Sequence, residues 1–118
     1  MAEADRKPTL VICDDKRLTS AALAVQLERH GFDVLGTPTK AASCVGMVQF
    51  YNADDEQPPV DLVLLDIVGL DTDPFETCRL IREQNPRTKV GFLTGHPAHI
   101  YIDRALAVGA TGFLCKQD

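Results

Sequence analysis

The sequence predicts an α/β fold, a five-stranded, doubly wound parallel sheet with helices on its faces. Three observations predict it. Five short apolar runs alternate with polar or amphipathic stretches, giving the order βαβαβαβαβ with short connections. The third run, Val60 to Asp66 (VDLVLLD), is almost continuously apolar and ends on an acid. A strand buried on both faces, at the centre of a parallel sheet, reads this way. The length of 118 residues suits one domain with one core, because domains most often run to about 100–150 residues.

Each element follows from local pattern. Thr9 to Cys13 is the first strand. From Leu18 to Arg29, apolar residues recur at Leu18, Ala22 and Val25 and at Leu23 and Leu27, which is helical spacing, and Gly31 stops that helix. Phe32 to Leu35 is a short second strand. Thr39 is the expected N-cap of a second helix marked by Ala41, Ala42, Val45, Met47 and Val48, ending near Tyr51 or Asn52. Residues 52–59 (NADDEQPP) read as an exposed loop, since adjacent carboxylates and two prolines suit neither element.

After the third strand, Asp73 caps a helix with Pro74 at its first position, where proline is favoured. Phe75, Cys78 and Ile81 point inward, and the helix ends before Pro86. Arg79 and Arg82 are expected on its solvated face. Lys89 to Leu93 is the fourth strand, His99 to Val108 a fourth helix carrying Ile100, Ala105 and Leu106, and Thr111 to Cys115 the fifth strand. The winding calls for one more helix, and the sequence stops at Asp118. Residues 1–118 are therefore expected to form a single domain cut from a longer protein, with 1–8 a flexible N-terminus and the final helix lacking. The apolar surface so uncovered is expected to favour a homodimer or marginal stability.

Composition excludes several functions. With 12 basic and 17 acidic side chains, the formal charge is −5, which argues against direct nucleic-acid contact through clustered Lys and Arg. No stretch reaches the roughly 18 apolar residues of a transmembrane helix, and the polar start MAEADRKP carries no signal peptide. The expected compartment is the cytoplasm. Cys13, Cys44, Cys78 and Cys115 lie far apart with no CxxC pair, so reduced, buried thiols are expected. His96 and His99 have the spacing of a helical metal pair, but Pro97 between them argues against one.

In an open parallel α/β sheet, ligands bind at the carboxyl ends of the strands. Those ends deliver Asp14 and Asp15 from the first strand, Asp66 from the third, Thr94 from the fourth and Lys116 from the fifth. Three carboxylates in one small space are costly unless a cation neutralises them, and hard oxygen ligands suit Mg²⁺. A carboxylate beside Mg²⁺, a lysine and a hydroxyl is equipped to accept a phosphoryl group.

At these positions the sequence resembles the receiver domain of two-component response regulators. The resemblance rests on LVICDD (10–15), DLVLLDI (61–67), GFLTG (91–95) and GATGFLCK (109–116) and covers nearly the whole chain. It implies a flavodoxin-like sheet of order 2-1-3-4-5. Asp66 would be the phosphoacceptor, and Asp14, Asp15, Asp66 and the backbone carbonyl of Val68 the Mg²⁺ ligands. Thr94 would be the switch hydroxyl, Lys116 the phosphate-facing lysine and Phe113 the aromatic switch. The implied partners are a sensor histidine kinase or phosphotransfer protein, with DNA reached only through a separate effector domain that controls transcription.

Two departures carry expectations of their own. Gln117 stands where the family often has proline after the lysine, putting the approach of Lys116 in question. Gly69-Leu70 replaces the common Met-Pro pair and is expected to loosen the loop after Asp66. Two alternatives accompany the main reading: a pseudo-receiver acting as a phosphorylation-independent interaction module, and a phosphatase with an aspartyl nucleophile. The latter would need an acid two residues after the nucleophile, where Val68 stands.

Overall fold

A computed structural model describes residues 6–95 and 101–115. Five strands, β1 (Thr9–Cys13), β2 (Asp33–Gly36), β3 (Leu62–Asp66), β4 (Lys89–Thr94) and β5 (Gly112–Cys115), alternate with four helices. These are α1 (Arg17–Arg29), α2 (Ala41–Asn52), α3 (Pro74–Gln84) and α4 (Ile102–Ala107). The strands form one sheet of order β2-β1-β3-β4-β5, every pair parallel.

The pleat sorts the apolar runs onto two faces, because side chains alternate along a strand. Val11, Cys13, Val63, Leu65, Val90 and Phe92 point to one side, where Cys44 and Val48 of α2 and Phe75, Cys78 and Ile81 of α3 cover them. Leu10, Ile12, Leu64 and Leu93 point to the other, against Leu23, Ala24 and Leu27 of α1. Central strands therefore read as unbroken hydrophobic runs, while α3 shows a clean inward stripe.

Several local expectations are corrected. In α1, Leu18 is 88% exposed and Val25 50%; the helix packs through Leu23, Ala24 and Leu27, one narrow stripe rather than both series. The N-cap of α2 is Lys40, not Thr39, and makes no side-chain cap bond; Asp71 instead reaches across to accept from Ala41 N–H at 2.9 Å. In α4, Ala105 is buried but Leu106 is 67% exposed, and Ile100 lies outside the described residues. Arg82 is not merely solvated: it donates to the carbonyls of Pro86 and Thr88 at 2.8 and 2.7 Å, holding the turn into β4.

The N-terminal segment is anchored from Arg6 onward. Arg6 makes a bidentate pair with Asp61 at 2.9 and 3.0 Å, and Asp61 also accepts from Thr9 N–H at 2.8 Å. Burial pushes the Asp61 carboxyl up, but the hydrogen bonds and charge of Arg6 and the bonds from Thr9 outweigh it and hold it below the usual carboxylate range. A lowered folded pKa means stability that is present above the ordinary carboxylate pKa and lost as pH falls through the folded value. Asp61→Asn is expected to cost about 1 kcal/mol at neutral pH for this half-exposed pair. In urea melts the gap to the parent is expected to narrow as pH falls below about 4 and to close only below the lowered folded value.

The loop at residues 53–59 is closed at its base by side-chain amides. Asn52 accepts from Val60 N–H at 2.8 Å and donates to Asn85 and Thr88 at 3.0 and 2.9 Å. Thr88 in turn donates to the Val60 carbonyl at 2.7 Å. This network lies at the amino end of β3, opposite the strand ends that carry the acids.

Among the described residues, Cys13, Cys44 and Cys78 are buried and free, and the side chain of Cys115 lies outside them. The Cys44 thiol is held far above its ordinary pKa by hydrogen bonding with Cys13 and by burial, and burial pushes Cys78 up to about 11 against the charge of Arg82. Protonated, enclosed thiols of this kind are packing groups. Beside α1, an apolar groove is lined by Leu10, Leu27, Phe32, Leu62, Leu64 and Leu114. Among the described residues, no helix is long and apolar enough to cross a membrane.

Candidate functional site

The sheet register gathers the site. Cys13 pairs with Leu65 and Asp66 with Leu93, so the residue after β1 and the end of β4 flank the end of β3. Ile67 N–H then donates to the Leu93 carbonyl at 3.0 Å, carrying the ladder one step past Asp66. All strands run the same way, so their terminal polar residues meet at one rim.

Asp14 is fully buried and is fixed by its surroundings. Its N–H donates to the Pro38 carbonyl at 3.2 Å, and its Oδ1 accepts from Lys16 N–H at 2.9 Å, closing the turn into α1. A short acidic side chain that bonds the backbone two residues on is a turn-forming device. Asp15 points outward; its side chain is 43% exposed and lies 3.5 Å from the Lys16 ammonium. Asp66 is 1% exposed at the end of β3, and Thr94 is 2% exposed at the end of β4.

One carboxylate oxygen each from Asp14, Asp15 and Asp66 lies within 4.8 Å of the other two. Three hard, anionic oxygen donors at that spacing fit a divalent cation such as Mg²⁺, which neutralises like charges otherwise costly to assemble. Two of these acids are shielded from solvent and the third faces it, so the rim is walled by protein and open on one side. The structure brings Asp14, Asp15 and Asp66 together and places Thr94 at the end of the strand beside Asp66. Lys116 and Gln117 lie outside the described residues, as do His96 and His99.

The β3–α3 loop, expected to be loosened by Gly69-Leu70, is held by contacts of its own. Leu70 packs on the main core, Asp71 ties the loop to the start of α2, and Asp73 caps α3 by accepting from Phe75 N–H at 2.9 Å. Val68, two residues after Asp66, is half-exposed. Gly69 follows with a φ of +106°, and a Cβ built on it would lie 2.6 Å from Asp15 Oδ1. The glycine signalled only a missing Met in the sequence. Its contact with Asp15 depends on how two loops from different strands approach, which no local pattern encodes.

Phe113 is half-buried on β5, its ring centroid 5.9 Å from that of Phe92. Phe92 lies 4.9 Å from Phe75, and Phe75 6.1 Å from Tyr101. The Arg104 guanidinium stacks 4.2 Å over Phe75 and pairs with Asp73 at 3.4 Å. The proposed switch aromatic therefore joins a row that connects β5, β4, α3 and the start of α4. Sequence reasoning placed Phe75 inward but missed this row, because its members come from four separate elements.

A family model described as the response regulator receiver domain matches residues 10–118. The chain is 35% identical over 118 residues to the photosynthetic apparatus regulatory protein RegA of Rhodovulum sulfidophilum, covering 97% of this chain and 58% of that protein. It is 29% identical over 109 residues to BvgA, a virulence-factor transcription regulator of Bordetella pertussis, covering 92% of this chain and 49% of BvgA. Among solved structures, the signal receiver domain of NarL from Mycobacterium tuberculosis superposes with a TM-score of 0.81 at 23% identity, across 96% of this chain and 86% of that one. The chain spans about half the length of the curated relatives it matches.

Proposed function

The chain belongs to the response regulator receiver family, and from that membership we propose that it is a phosphorylation-controlled signalling module with Asp66 as phosphoacceptor. The observation that carries this reading is the meeting of Asp14, Asp15 and Asp66 within 4.8 Å beside the buried Thr94 at the carboxyl rim of the sheet.

The Asp66 carboxylate attacks the phosphorus in line; the new O–P bond forms as the bond to the donor's leaving group breaks. Asp14 and Asp15, with Asp66 and the Val68 carbonyl, would hold Mg²⁺, which supplies charge neutralisation at the phosphoryl oxygens. Burial of Asp66 and Asp14 shields those carboxylates from bulk water, so electrostatic attraction at them is stronger than in solvent. Thr94 donates its hydroxyl hydrogen bond to a phosphoryl oxygen, and Lys116 supplies a positive charge to another. Movement of Thr94 lets Phe113 follow, remodelling the face made by α4 and β5.

The donor is a histidine kinase or phosphotransfer protein, acting in the cytoplasm. The output is transcription, through an effector domain of the kind expected in the longer relatives. Steady phosphatase turnover is disfavoured, because the position two residues after Asp66 carries Val68 and not an acid. The test is intact-mass analysis after incubation with acetyl phosphate and Mg²⁺. One added phosphate is expected, dependent on Mg²⁺. No added phosphate under any condition would favour the phosphorylation-independent module.

A further inference from the structure

We propose that Gly69 is a positioning residue for Asp15, its missing side chain leaving the space that the Asp15 carboxylate occupies at the metal-binding rim. The inference rests on the reading of that rim as a Mg²⁺ site and adds a residue to it. Three distances support it. A Cβ at Gly69 would lie 2.6 Å from Asp15 Oδ1, 3.0 Å from Cγ and 3.1 Å from Oδ2, so the whole carboxylate, not one atom of it, fills the vacancy left by hydrogen.

The backbone agrees with the packing. Gly69 has φ +106°, a conformation that glycine adopts freely and side-chain-bearing residues rarely do. That conformation sets the path of the loop between Asp66 and α3, and the loop is pinned beyond it by Asp71 on Ala41 N–H. That anchor opposes a simple retreat of the loop. Asp15 is the movable partner: its side chain is 43% exposed and would swing toward solvent. Such a swing separates it from Asp14 and Asp66, which are buried and stay where they are.

The test is a double-mutant cycle on Gly69→Ala and Asp15→Ala with two readouts. The first is Mn²⁺ binding, used as a probe in place of Mg²⁺ and followed by the loss of the free-ion paramagnetic resonance signal. Gly69→Ala is expected to weaken Mn²⁺ about tenfold in the parent and less than about twofold once Asp15 is alanine, since contacting residues couple and independent ones add. Equal weakening in both backgrounds, or none in the parent, overturns the proposal. Failure of the parent itself to bind Mn²⁺ would instead overturn the Mg²⁺ site.

The second readout needs no metal. In urea melts, Gly69→Ala is expected to lower the midpoint clearly in the parent and less in the Asp15→Ala background, where the new methyl has no carboxylate to strike. If the alanine unfolds both backgrounds alike, backbone conformation alone requires the glycine and the role assigned through Asp15 is wrong.

Discussion

Asp66→Asn and Asp66→Ala are expected to abolish labelling by acetyl phosphate, lowering the phosphorylated fraction by about 100-fold or more. The asparagine variant is the stricter of the two. Its amide keeps the shape of the carboxylate but withdraws the attacking oxygen's negative charge. The strand's pairing does not run through that side chain: Asp66 ends a strand whose ladder runs through backbone groups, and Ile67 continues the pairing beyond it. Removing one of three neighbouring carboxylates also relieves like-charge repulsion among them. Labelling of either variant to the parent's extent, in a sample shown to be folded, would remove Asp66 from the role assigned to it.

Different kinds of information made the fold and the site legible to different degrees. The strands were readable because burial on both faces leaves a run such as Leu62 to Leu65 with no polar interruption, and the acid ending it marks the rim. The order of winding then places Asp14, Asp66 and Thr94 at one end without any knowledge of packing. Helix faces were less legible wherever a helix buries a narrow stripe. Leu18 and Val25 fit helical spacing as well as Leu23 and Leu27 do, yet only the second pair meets the sheet.

What escaped the sequence altogether were contacts between distant segments. Asp71, 30 residues from Ala41, does the capping expected of Thr39. Arg6 reaches Asp61 across 55 positions and so orders a segment that composition describes as a polar tail. Gly69 against Asp15 belongs to the same class. Side chains alone suggest none of these pairs, because each is created by the approach of two loops that the sheet brings together.

The acidic rim carries an energetic consequence that a melting experiment should expose. Two unit charges no more than 4.8 Å apart repel by at least about 3 kcal/mol at an effective dielectric constant near 20, and the exposure of Asp15 reduces its share through solvent screening. Asp14 is fully buried, and burial makes a charged carboxylate costly. Asp14→Asn keeps an oxygen to accept from Lys16 N–H while removing that charge. Without Mg²⁺ the variant is therefore expected to be more stable than the parent by about 1–2 kcal/mol, a melting-temperature rise of several degrees. With Mg²⁺ at about 100 times its dissociation constant, the parent gains about 2.7 kcal/mol by linkage, whereas the variant, short of one anionic ligand, gains little. The order of the two melting temperatures then reverses. A variant that melts below the parent in metal-free buffer would show that the hydrogen bonds and charge interactions of Asp14 outweigh the repulsion. A variant that gains as much from Mg²⁺ as the parent would show that Asp14 is not a ligand. The proposed site requires the second outcome to fail, since the clustered charge is what binds the ion.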